Sequence, residues 1–264
     1  MDRRPIGVFD SGVGGLSVLI ELKKLLPREN FVFLADQKYV PYGEKSKKEL
    51  LKLVFKITDY FIKHHNIKMM IIACNTASCY TIDELRAKYA FPIVRTIPAV
   101  KPAAEKTKTG TIAVISTPAT SKSRALGKLI KDHCAEVEVL NIGCKNLENT
   151  VEEGSVNNKE VNTLLQKYLK PVKNSSTDQL VLGCTHYPFL KPAIRKIVGP
   201  RVKLVDSGKA IAKRAKFLLE TEKIRSNQGK GKEVLYFTTG NSSKFQRVAS
   251  KLLKKRIIAK KANL

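Results

Sequence analysis

Two periodicities alternate along the chain. Short, continuous apolar runs of the kind that form strands buried on both faces occur at residues 6–9, 31–35, 69–73, 111–116, 137–141, 180–183, 203–205 and 233–238. Between them lie segments with apolar residues every third or fourth position, the pattern of a helix that buries one side. The clearest aligns Leu50, Val54, Ile57 and Phe61, with Lys48, Lys52 and Lys63 on the opposite face. Another groups Phe245, Val248 and Leu252, so the basic tail begins as a helix with a packing face. Strand–helix alternation of this sort predicts an α/β protein built on parallel sheets.

The pattern also hints at duplication. A strand ending at Asp10 is followed by one that leads into Cys74, and a strand ending at Ser116-Thr117 by one that leads into Cys184. Two similar α/β halves facing one another would bring both thiols to a single cleft. The Pro-rich stretch 97–102 and a return near Asp206-Ser207-Gly208 suggest residues 1–98 with 209–264 as the first domain and 99–208 as the second.

Composition narrows the class. At 264 residues, 43% of them hydrophobic, the chain can bury a sizeable core. Its apolar runs are far shorter than the ~20 residues of a membrane span. The start leads directly into a strand without the apolar segment of a secretory leader, which predicts a cytoplasmic protein with no membrane partner. Five cysteines, at 74, 79, 134, 144 and 184, are an odd number without zinc-ligand or Cys-x-x-Cys spacing. Reduced thiols are therefore expected, with no metal and no disulfide framework. A formal net charge of +26 attracts anions of any size. The lysines are spread along the chain without interleaved aromatics, so they read as a solvated surface, with nucleic acid as a weak secondary partner only.

Three segments carry candidate chemistry. Asp10-Ser11-Gly12-Val13-Gly14-Gly15 joins a strand to a helix, where glycines let a ligand approach exposed backbone N–H groups. A dinucleotide fingerprint would need glycine at position 17, and Ser17 stands there. Cys74 precedes Asn75-Thr76-Ala77-Ser78, good material for a first helical turn, whose dipole favours a thiolate. Cys184-Thr185-His186 repeats the design with a histidine two residues from the thiol. Cys134 and Cys144, by contrast, read as small core hydrophobes. Two thiols and no cofactor motif suit inversion of a stereocentre: one thiolate removes a proton from one face of carbon while a thiol delivers one to the other.

These segments, with Pro41-Tyr42-Gly43, Asp206-Ser207-Gly208 and Thr238-Thr239-Gly240 in the same order, resemble the glutamate racemases of the aspartate/glutamate racemase superfamily across the full length. The resemblance implies a cofactor-independent isomerase that interconverts L- and D-glutamate and supplies D-glutamate for peptidoglycan. It implies two doubly wound parallel-sheet domains in pseudo-twofold relation, the site in the cleft between them, and a homodimer. Cys74 and Cys184 match the acid/base thiols, with Asp10, His186 and either Glu152 or Glu153 as assisting groups. Ser11, Pro41, Tyr42, Gly43, Asn75, Thr76, Thr185 and either Thr117 or Thr120 match substrate-binding positions. Ser17 stands where the family more often has Thr, and Ser116 where it has Gly.

Overall fold

In the computed structural model, residues 1, 228, 230, 232 and 233 lie outside the described set, and every other residue is described. Strands run at β1 (Ile6–Asp10), β2 (Phe31–Ala35), β3 (Met69–Ile72), β4 (Ile93–Arg95), β5 (Thr111–Ser116), β6 (Glu138–Gly143), β7 (Gln179–Leu182), β8 (Lys203–Val205), β9 (Leu235–Thr238) and β10 (Ala259–Lys261). The helices of the first part are α1 (Leu16–Leu25), α2 (Lys47–His65), α3 (Asn75–Lys88) and α4 (Val100–Ala104). The middle carries α5 (Pro118–Ser121), α6 (Arg124–His133), α7 (Leu147–Glu152), α8 (Lys159–Lys173) and α9 (Lys191–Val198). Then come α10 (Gly208–Thr221) and α11 (Ser242–Leu253).

The strands form two sheets, both parallel, in the orders β10-β9-β2-β1-β3-β4 and β6-β5-β7-β8. The core of the first, β2-β1-β3-β4, has the same order as the whole of the second, with β5 in the place of β1 and β7 in the place of β3. The repeated order puts the chain after β1, β3, β5 and β7 at equivalent strand ends. Beyond this repeat the tail adds β9 and β10 to the open edge beside β2.

Alternate residues of the central strands face opposite layers. Val8, Phe33 and Ile71 pack with Leu16 and Leu19 of α1, Ile211 and Ala215 of α10 and Phe245 of α11. Phe9, Leu34 and Ile72 pack with Leu50, Val54, Ile57 and Phe61 of α2. Each such side chain taken from water contributes about 1.5–3 kcal/mol. α2 starts at a reciprocal cap, with Ser46 Oγ accepting from Glu49 N at 3.3 Å and Glu49 Oε2 accepting from Ser46 N at 2.9 Å. In the second sheet, Ala113, Ile115, Leu180 and Leu182 join the same continuous core as α1. Ile112, Val114 and Val181 face α4 and α6.

Several boundaries differ from the sequence pattern. β4 and β10 were not expected, since each has three residues and β10 reads as part of a basic tail. Lysines at its exposed edge suit an edge strand that must not recruit another chain. β6 begins one residue later than expected and continues to Gly143. β9 begins at Leu235, and Glu233 lies outside the described residues. Among the described residues, no helix is long and apolar enough to cross a membrane.

Candidate active site

The carboxyl ends of four equivalent strands converge, two from each sheet. Asp10 ends β1 and Ser11 follows it, while Cys74 caps the N-terminus of α3 just beyond β3. Thr117 caps α5 directly after β5, and Cys184 lies two residues past β7. A narrow cleft lies among them, at the place where parallel sheets present their ligand crevice.

Ten of the residues singled out from the sequence besides His186 line it: Ser11, Pro41, Tyr42, Gly43, Cys74, Asn75, Thr76, Thr117, Cys184 and Thr185. His186 lines it too. Asp10, Glu152 and Thr120 stand behind the wall. Thr117 is the threonine that faces the cleft, and Thr120 supports it at 3.1 Å while also meeting Thr76 Oγ1 at 3.1 Å. Of the two neighbouring acids, Glu152 is buried and turned toward His186, whereas Glu153 is exposed.

The two thiols have different surroundings. Cys74 Sγ accepts from Ala77 N at 3.5 Å and lies 3.7 Å from Ser11 Oγ. Cys184 Sγ lies 3.5 Å from His186 Nδ1, and His186 Nε2 lies 2.7 Å from Glu152 Oε1. That same oxygen accepts from Val13 N at 2.6 Å, and Glu152 Oε2 accepts from Gln37 Nε2 at 2.6 Å. Gln37 is held in turn by Thr238 Oγ1 at 3.1 Å. Asp10 accepts from Gly12 N and from Thr185 Oγ1, each at 3.1 Å. Ser17 donates to Thr185 O at 2.8 Å, which ties α1 to the strand-end loop of the other sheet.

Close packing explains the glycines of the first turn. A Cβ at Gly12 would sit 1.8 Å from Glu152 Oε1. The turn can carry Val13 N to that carboxylate only without a side chain at residue 12.

Electrostatics follows from burial. Removal from water pushes the Cys74 thiol well above its ordinary value, and the nearby Asp10 pushes it further. The N-terminus of α3 was expected to favour a thiolate here; its contribution, through Ala77 N, is outweighed by burial. Burial also raises Cys184, while the hydrogen bond and charge of His186 pull it back. Burial opposes protonation of His186, but bonding to Cys184 and Glu152 holds it well above its ordinary value. Burial likewise opposes ionisation of Glu152, yet His186, Gln37 and Val13 N keep its carboxyl below the usual range. Burial lifts Asp10 to about 6, against the pull of His186 and Gly12 N.

Comparison with known proteins gives this arrangement its relatives. Residues 26–215 match the family model described as Asp/Glu/Hydantoin racemase. The chain belongs to this racemase family. It is 39% identical over 250 residues to a glutamate racemase of Ectopseudomonas mendocina, covering 94% of each chain. A solved glutamate racemase isoform from Bacillus anthracis superposes with a TM-score of 0.90 at 31% identity, covering 100% of this chain and 99% of the other. The Francisella tularensis glutamate racemase, solved in complex with D-glutamate, gives 0.86 at 31% identity, covering 100% and 98%. Family membership and the α/β fold of two parallel sheets thus agree with the motifs.

Four site residues lay outside the sequence reading or carried another meaning there. Asp36 accepts from Tyr42 OH at 2.5 Å and Thr239 Oγ1 at 2.7 Å, and so fixes a residue of the cleft wall. Gln37 holds Glu152, and Thr239 holds Asp36, from behind the cleft wall. Glu148 lines the cleft itself. Its only sequence signal is its position four residues before Glu152, on the same face of α7.

Proposed function

We propose that this chain interconverts L- and D-glutamate by a cofactor-independent exchange of protons between Cys74 and Cys184. The observation that carries the reading is a single cleft lined by both thiols, with Cys184 against His186 and Cys74 in the field of Asp10. The relatives named glutamate racemase, and the D-glutamate bound to the Francisella protein, support the choice of substrate.

Dry, oriented dipoles do the binding. The hydroxyls of Ser11, Thr76, Thr117 and Thr185, with the first-turn amides of α3, offer donors to substrate carboxylates. Asn75 Oδ1 is buried with no hydrogen-bond partner among the described residues, an acceptor suited to a substrate ammonium N–H. In one direction the Cys74 thiolate takes the α-proton while the Cys184 thiol delivers its own proton to the opposite face. Cys74 then holds a proton and Cys184 is the thiolate, so the reverse reaction starts from that state. His186, cationic between the thiol and Glu152, stabilises the Cys184 thiolate and relays its proton. Asp10 holds Thr185 and, neutral, lifts the charge that opposes a Cys74 thiolate.

The resemblance extends the proposal to a cytoplasmic homodimer that supplies peptidoglycan synthesis. It also assigns 1–98 with 209–264 and 99–208 to separate domains. Light scattering on the purified chain tests the dimer. The activity is tested by circular dichroism of L-glutamate with purified protein and no added cofactor. The signal should decay to zero. A signal that persists overturns the proposal, and a parallel run with L-aspartate tests the substrate assignment.

A further inference from the structure

Among the described residues, Glu148 is the only carboxylate that lines the cleft, and no lysine or arginine lines it. The side chain is more than nine-tenths buried, and its Oε2 has no hydrogen-bond partner among the described residues. It stands one helical turn before Glu152 on the same face of α7, so the helix that supports His186 also aims a second acid into the substrate space.

An ionised Glu148 would be the third carboxylate in a small cleft that takes a dicarboxylate. The cleft lining offers His186 as its one cationic group, and Glu152 already engages it. Protonated, the same side chain presents an O–H donor and no charge. The titratable groups facing it are Glu152 on its own helix, Glu44 beyond Tyr42, Cys144 before α7, and Cys184, His186 and Tyr187 after β7. Burial pushes the Glu148 carboxyl up; His186 opposes, and Glu44 and Glu152 add to the rise.

We propose that Glu148 is a specificity-determining residue that works in its neutral form, donating from Oε2 to a carboxylate oxygen of the substrate. The role rests on the glutamate reading above. It makes binding proton-linked: as pH rises and Glu148 ionises, the donor is lost, a charge appears, and KM climbs.

The test compares KM, kcat and Tm for L-glutamate in wild type, Glu148→Gln and Glu148→Val between pH 5.5 and 9. Gln keeps a neutral donor in place. At the acid end Glu148→Gln should stay within about threefold of the wild-type KM, while Glu148→Val raises it roughly tenfold, as loss of one hydrogen bond to a charged group implies. The ratio of wild-type to Gln KM should then rise with pH, with kcat changing by less than a few fold. A ratio that is flat or falls with pH, or a Gln variant as impaired as Val at equal Tm, overturns the role of Glu148 alone. A wild type that neither racemises nor binds L-glutamate overturns it together with the proposed function.

Discussion

A Cβ on Gly14 would stand 2.5 Å from Nδ1 of His186 and 2.5 Å from Thr185 Oγ1. The first turn of one sheet therefore lies against the histidine carried by the other, and bare backbone at residue 14 is what permits it. The contact bears directly on His186 Nδ1, the atom that faces Cys184.

Replacing Gly14 with Ala must push the imidazole or the turn aside. A displacement of about 1 Å in a proton-transfer geometry costs roughly a hundredfold in rate. Glutamate racemisation by Gly14→Ala should fall by that order while the far-ultraviolet spectrum stays unchanged. Near-normal kcat would show that the ring has room to spare.

Asp10 gives a prediction on stability. Its folded value of about 6 lies above the unfolded 3.8, so the native state binds this proton more tightly. Its contribution is most favourable at low pH and is lost as pH rises from about 4 through 6, by roughly 3 kcal/mol at 1.36 kcal/mol per pH unit. Urea unfolding of wild type and Asp10→Asn should show wild type losing stability relative to the variant across that window and running parallel above it. A constant difference contradicts the raised value.

His186 should also set the ionisation of its thiol. Its hydrogen bond and charge hold Cys184 down against burial. In His186→Asn the alkylation rate of Cys184 should therefore rise at a higher pH than in wild type, read by peptide mass spectrometry. Cys74, which bonds to Ser11 and Ala77 instead, serves as the internal reference.

A second buried charge cluster lies away from the cleft. Lys68 Nζ meets Glu29 Oε2 at 2.6 Å and donates to the carbonyls of Asp2 at 2.7 Å and Ile224 at 2.8 Å. Glu29 Oε1 accepts from Ser226 N at 2.8 Å. Lys68→Met leaves a buried carboxylate without its cation, a change that costs about 3–5 kcal/mol. Denaturant midpoints should drop accordingly while KM for glutamate holds. A loss below about 1 kcal/mol contradicts the reading.

What could be read in the sequence was whatever local pattern dictates. The runs before Cys74 and Cys184 announce strands, and the residues after them announce helix starts, so both thiols fell at strand ends without any knowledge of tertiary contacts. The shared order of β2-β1-β3-β4 and β6-β5-β7-β8 was foreshadowed by the similar separations of Asp10 from Thr117 and Cys74 from Cys184. β10 was illegible because two of its three residues are lysines, and only pairing with β9 makes it a strand. Gln37 reaches Glu152, and Asp36 reaches Thr239, across more than a hundred residues of chain, contacts that no local spacing encodes. Glu148 was hidden by Glu152, since an acid pair one turn apart reads as a solvated helix face until the cleft is seen beside it.

On the proposed mechanism, two thiols serve the two faces of one carbon. The direct measurement is to run L-glutamate with wild-type protein in heavy water, stop early, and determine α-deuterium separately in the two enantiomers by mass spectrometry. Two opposed thiols predict deuterium in the newly formed D-glutamate and almost none in the recovered L-glutamate, because each face has its own proton donor. Deuterium entering recovered L-glutamate as fast as D-glutamate forms would mean a single base serving both faces, and would contradict the account.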